Sequence, residues 1–424
     1  MQSYRLFFTP FLLMIFFLCQ SAGAQVIHGV DYSDRSHLNE TFDLTQTDEV
    51  GQRFASEHLT HEDKVTGFEV TSLTTARYSN STFYQTHPSW TPDERYIVFR
   101  SNRLGSGHAY AVSLEDFEIV QVTGGDDGNN LHLGWETNVA YHFRGNQLIE
   151  LDLGTLLADS ENGSVGDPST YDRVVTDLPE DLNPSGDFAL DADEDRLFFI
   201  SRHNQDLSTF YMVDLESGDL QKLLEVPFWA NHLQANRWVS GEMVYSWETR
   251  GDSPQRIWML TVDENGEAET RPVYEEDDYE WVTHEVFMGP DHVIFNMMGH
   301  LDRLRESSST GIYVKNIRTG EYENKGQIGG SGYWHAYGTP DLKWAVGDNF
   351  DGDIYRLNLE TGENTLLTTG HRPSGNGPFT GDAHSHHSIS PDGKWLLFNS
   401  SYYTGNDIMI MRLHPEDEEN GSYN

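Results

Sequence analysis

HHSISPDGKWLLFNSSYYTGNDIMIMRL, residues 386–413, decides the fold once it is laid beside residues 335–369, HAYGTPDLKWAVGDNFDGDIYRLNLETGENTLLTT, and residues 86–123, THPSWTPDERYIVFRSNRLGSGHAYAVSLEDFEIVQVT. In each, a His precedes a short strand. A Pro-Asp turn follows, then an apolar strand such as Trp395 to Phe398 or Tyr96 to Phe99. A third strand, a Gly turn or its equivalent and a fourth strand complete the unit. Segments of the same grammar begin near His132, Asp187, His232 and His284, so the seven starts lie 45 to 55 residues apart. That period is the length of one four-stranded propeller blade. The alternation of apolar residues marks strands, and no window carries sustained helical periodicity. The expected architecture is all-β, a seven-bladed β-propeller.

The last of the seven segments runs out after its third strand, at Leu413. A propeller has to close its ring, and Val65 to Thr74 reads as the missing strand, supplied from the other end of the chain. Closure of this kind removes a sheet edge that would otherwise template aggregation. The expected organisation is a signal peptide over 1–24, a polar extension over 25–64 that wraps the outside, the propeller over 65–414, and an acidic disordered tail over 415–424.

Arg5 provides a positive start, Leu6 to Cys19 is almost unbroken apolar sequence, and Ala22-Gly23-Ala24 offers the small residues that a signal peptidase reads, leaving Gln25 as the new N-terminus. The apolar stretch is short for a membrane span and no second one follows. Cys19 is the single cysteine; Leu18 before it does not make a lipobox, and its removal leaves no disulfide or thiolate metal site. The mature chain is expected to be secreted, periplasmic or extracellular, monomeric and without a membrane partner. A formal charge of −41 excludes a general nucleic-acid binder, because no basic patch is left to neutralise phosphates. Acidity of this kind keeps a secreted protein soluble in salty water.

The first strand of each propeller blade is innermost, so the residue before it sits at the channel mouth. His87, His335 and His386 each stand five residues before the turn prolines Pro92, Pro340 and Pro391, and His284 stands six before Pro290. His132 and His232 hold the corresponding place in segments that lack the proline. With 19 His in 424 residues, one register in six of seven blades is not compositional noise. A His that caps a turn in every blade is the bland alternative; convergence on one funnel is the functional one. His384 and His386, two apart in a strand, would point to the same side while His387 points away. With His335 from the neighbouring blade they could hold one ion, and three imidazoles with an open position suit zinc, manganese or another divalent ion. The expected cofactor is a divalent ion, manganese, zinc or calcium.

QRIWMLTVDENG from Gln255, VTHEVF from Val282 and the H-x-H-x-x-x-SPDGKW of the last blade resemble the oligogalacturonate lyase family of propeller polysaccharide lyases, over about half the chain. The resemblance implies β-elimination on a uronate-containing glycan. It implies His284 as the base, Arg256 against the substrate carboxylate, and His335, His384 and His386 as metal ligands. A glutamine ligand of that family does not carry over: Gly381 stands at its place, with Asp382 beside it. His87 and His108, in QTHPSW and GSGHAY, resemble instead the propeller-type ulvan lyases, secreted enzymes that cut a sulfated algal polysaccharide at its uronic acid. That likeness implies chemistry at His87 and His108, with Arg202 and Tyr245 as counterparts by spacing.

The chemistry asks for such a set. The hydrogen at C5 of a uronate is barely acidic while the carboxylate beside it stays charged, so a cation must neutralise that carboxylate before a neutral His or Tyr takes the proton. Elimination needs no covalent nucleophile, and the chain carries no G-x-S-x-G elbow. The expected partner is an acidic polysaccharide or oligosaccharide. The competing reading is a non-catalytic periplasmic interaction propeller of the TolB kind, which needs neither the register of histidines nor H-x-H.

Overall fold

The computed structural model describes residues 26–31, 47–75, 78–204, 206–374 and 380–416. The expected leader and all but two residues of the expected tail lie outside them.

Each repeat forms one antiparallel sheet whose innermost strand comes first in sequence. Five blades are simple four-stranded meanders, with inner strands His132–Leu133, Pro184–Leu190, Ala230–Ala235, Val282–Gly289 and Ala336–Gly338. The Pro-Asp turns share one construction. The Thr91, Thr339 and Ser390 hydroxyls accept the backbone N–H of Tyr96, Trp344 and Trp395 at 3.1, 3.1 and 2.9 Å. The third residue after each hydroxyl is left-handed: Glu94, Leu342 and Gly393 have φ of 56°, 60° and 75°. Only the glycine adopts that conformation without steric cost.

The two blades at the ring closure have five strands. In the seventh, Glu69–Ser72 pairs with Asp407–Arg412 through Met409 to Ser72 and Ile410 to Thr71, which is the expected closure. Leu59–Glu62 then adds a fifth strand outside it, and Arg53–Phe54 adds one outside the first blade. The extension before Val65 therefore joins two sheets rather than only wrapping them. Asp63 ties the closing hairpin to the sixth blade, accepting from the Thr369 N–H at 2.7 Å and the Thr368 hydroxyl at 3.0 Å.

Stability comes from apolar burial between blades. Seven apolar clusters occupy the seven interfaces; the one between the seventh and first blades joins Trp90, Ile97 and Phe99 to Leu397 and Ile408. Two short α-helices interrupt the β repeat among the described residues. Leu153–Asn162 is an α-helix inserted in the second blade, capped by Asp152 through the Thr155 N–H and stopped by a left-handed Gly163. Its Leu153, Leu156 and Leu157 complete the cluster between blades one and two. A second short helix is Asp302–Ser307. Among the described residues no helix is long and apolar enough to cross a membrane.

The inner edge of the first blade departs from the rest. Only Asn80–Ser81 and a bridge at Trp90 pair with the second strand, and the residues between them fold into the channel. Tyr84 reaches His232 of blade four and His386 of blade seven, with ring centroids 4.4 and 4.8 Å apart. Gln85 donates to the Ala336 carbonyl of blade six at 3.1 Å, and His87 bonds the Phe188 carbonyl of blade three at 2.8 Å. This plug divides the channel into a mouth, where the inner strands begin, and a vestibule at the other end, where they turn.

Candidate active site

The six register histidines do not form a ring of equals. His87 and His132 pack against each other 5.2 Å apart, both buried and both bonded to backbone carbonyls, His132 to that of Leu133. They serve the plug. His232, His284, His335 and His386 gather at the mouth with His384 and Tyr84. His284 lies 4.0 Å from His335, and His335 lies 5.0 Å from His386, centroid to centroid.

His335, His384 and His386 each bring one imidazole nitrogen within 4.8 Å of the others. The buried Nε2 of His335 has no partner among the described residues, while its Nδ1 donates to both oxygens of Asp348 at 3.0 Å. A carboxylate behind a ligating imidazole fixes its tautomer and raises its basicity. Asp348 is itself fixed by the His335 N–H at 2.8 Å and by the Ser385 hydroxyl. This donor set fits a divalent cation. His387 turns away, bonding the Val346 carbonyl at 2.9 Å. Strand alternation does not produce this arrangement, because the inner strand of the blade begins only at Ser388. His386 is left-handed instead, with φ 37°.

The same conformation recurs at His232 and His284, with φ of 51° and 55°. Both interrupt their inner strands at register shifts, between Asn231 and Gln234 and between Thr283 and Val286. A non-glycine residue held there costs on the order of 1–3 kcal/mol, and such strain clusters at functional sites. Three of the four converging register histidines carry it.

His284 donates its Nδ1 hydrogen to the Trp334 carbonyl at 2.5 Å, which leaves Nε2 as the basic nitrogen. Burial first, and then its neighbours His335, Arg256 and His386, push its imidazole well below the ordinary value, so it is neutral. Burial does the same for His335 and His386. Trp334 packs on His335 and His384 at 4.4 and 4.3 Å and holds the Arg372 guanidinium 4.8 Å away.

Arg256 is brought to the site, but its guanidinium is occupied. It donates to Glu285 at 3.0 Å, to Glu248 at 3.1 Å and to His232 Nδ1 at 3.1 Å. Burial would raise the Glu285 carboxyl, yet Arg256 and His232 bring it down to about 2. Arg202 stands at the rim, bonded to the Ala230 carbonyl at 3.0 Å and to Asn231, next to His232. His108 is not brought to the set. It begins the third strand of its blade, two strands out, where it bonds Ser106 at 2.8 Å and lies 3.9 Å from Asp48. Tyr245 is fully buried between blades three and four and bonds Thr270 at 2.6 Å. Asp382 accepts from Ser374 through both oxygens, at 2.7 and 2.6 Å.

A cleft of about 920 Å³ opens beside His384 and His386, bordered by Arg100, Asn102, Asn399 and Tyr403. Sequence reading missed Tyr84, Arg100, Trp334 and Asp348. Asp348 alone carried a signal, as an acidic residue ending a buried strand opposite His335.

No family model matches the chain, and no curated protein matches it. Among solved structures it is similar to an oligogalacturonate lyase from Vibrio parahaemolyticus, with a TM-score of 0.71 and 20% identity over 86% of this chain and 99% of that one. An oligogalacturonate lyase in complex with manganese is similar to the same degree, with 98% of its chain covered. A prolyl endopeptidase aligns with a TM-score of 0.50 and 14% identity, over 57% of its length. At these identities the likeness shows the fold, a seven-bladed propeller.

Proposed function

We propose that this propeller is a polysaccharide lyase that cleaves a uronate-containing oligosaccharide by β-elimination at the mouth histidines. The observation that carries the reading is His284, anchored through Nδ1 on the Trp334 carbonyl, with its ring 4.0 Å from that of His335 in a three-histidine cradle. A divalent cation held by His335, His384 and His386 would withdraw charge from the uronate carboxylate and so acidify the C5 hydrogen. His284 Nε2 takes that proton, the C–H electron pair becomes the C4–C5 double bond, and the C4–O pair leaves with the departing sugar. The Tyr84 phenol, between His232 and His386, is placed to return a proton to the departing oxygen. Arg100, beside the cleft, supplies a further cation for the anionic chain.

The manganese-bound neighbour supports a divalent ion and an oligogalacturonate-type substrate. The residues behind the ulvan likeness lie apart, His87 in the plug and His108 two strands out, so the reading rests on the His284 side. Secretion into the periplasm or the medium, as a monomer, completes the proposal. Incubation with oligogalacturonate, pectate and ulvan tests it by the ultraviolet absorbance of a new 4,5-unsaturated uronate. Oligogalacturonate is expected to give the fastest rise. No rise with any of the three would overturn the reading.

A further inference from the structure

The vestibule, on the far side of the plug from the mouth histidines, is a cavity of about 460 Å³ lined by Trp90, Trp135, Arg237, Trp238, Tyr337 and Trp344 among others. That volume suits one small ligand. Arg237 lies 5.6 Å from the Trp135 ring and 5.3 Å from the Trp238 ring. Neither contact uses an N–H donor, and Arg237 makes no hydrogen bond or ion pair with any described residue. In a chain with 68 acidic residues and 27 basic ones, a cation left without a carboxylate stands out.

Nor do the acids at the rim neutralise it. Asp341 pairs with Lys343 at 3.2 Å and Asp392 with Lys394 at 2.8 Å, each within its own turn. The Trp90 residue, 4% exposed, and the Trp344 ring add apolar wall to the cavity.

We propose that the vestibule is a second binding site that takes a single acidic pyranose. The carboxylate meets Arg237, and the apolar face of the sugar ring stacks on an indole. The choice of a uronate over another ring-bearing carboxylic acid rests on the lyase reading; the site itself does not.

Calorimetric titration with galacturonate, galactose and benzoate tests the assignment on four proteins: wild type, Arg237→Gln, Trp238→Ala and His335→Ala. Binding needs no turnover, so a failed lyase assay leaves this result intact. With divalent ions removed by a chelator, so that the mouth cradle is silent, galacturonate should bind wild type and His335→Ala alike. Its affinity should fall by about tenfold or more in Arg237→Gln, the loss expected when a charge-assisted hydrogen bond goes. Trp238→Ala, at a position 36% exposed and tolerant of truncation, should weaken it as well. Galactose, without the carboxylate, should bind more weakly. Galacturonate binding that survives Arg237→Gln but is lost in His335→Ala would overturn the proposal. So would benzoate binding without galacturonate binding, or no binding by wild type.

Discussion

His335 gives its Nδ1 hydrogen to both oxygens of Asp348, 3.0 Å away, and keeps a buried Nε2 with no protein partner. The cradle is therefore oriented from behind before any ion arrives. Asp348→Asn keeps the shape but weakens the acceptor, and it should lower manganese or zinc affinity by about 10–100-fold. Competition titration against a metal-binding dye measures it. An unchanged affinity would show that the carboxylate only fills space.

Arg256 is as much a structural charge as a site residue. Removing it leaves Glu285, fully buried, facing no guanidinium. Arg256→Met should destabilise the fold by about 3–5 kcal/mol in denaturant titration. Arg256→Met combined with Glu285→Gln should recover part of that loss. A single variant as stable as wild type would contradict the network.

The Glu276 carboxyl is pushed up from 4.5 to about 8 by burial, against the N–H groups of Arg256 and Val282 that it accepts. Its folded value lies above its unfolded one, so the folded state holds a proton through that window which the unfolded state releases. Stability from this group is complete at low pH and declines as pH rises toward about 8. Glu276→Gln carries no such proton. Its melting temperature relative to wild type should rise between pH 5 and pH 8, and a constant difference would refute the assignment.

His87 belongs to the plug. His87→Ala removes its bond to Phe188 and its packing on His132, and should lower stability by about 1–3 kcal/mol. The rate at saturating substrate should hold, measured on the folded protein. A loss of several orders of magnitude would move the chemistry to the ulvan-type side.

The blade repeat and the closing strand were legible because strand periodicity and turn residues recur at one register. The count back from the turn prolines placed His335 and His386 together at the mouth, although the strand alternation invoked for His384 and His386 is not what orients them. The helix at Leu153–Asn162 was legible too, in Asp152 and Gly163 at its ends, but its ten residues interrupt a β repeat that dominated the reading. The plug was not legible. THPSW carries the blade signature, yet residues 82–88 leave the sheet, and nothing local says that Tyr84 will reach blades four and seven. Nor could alternation reveal that His232, His284 and His386 turn inward through left-handed backbone, since that strain is imposed by the surrounding blades. Arg256 looked available for a substrate because nothing local showed that Glu248, in the loop before it, and Glu285, on the inner strand of the next blade, would occupy it.

The most direct measurement is the rate of 4,5-unsaturated product formation from oligogalacturonate by wild type and His284→Ala, each folded and loaded with manganese. His284 is the single imidazole beside the cradle whose Nδ1 is fixed by the Trp334 carbonyl, so its loss should cost a factor of about 10²–10⁴ in kcat with substrate binding retained. Equal rates in the two proteins would show that another group removes the proton.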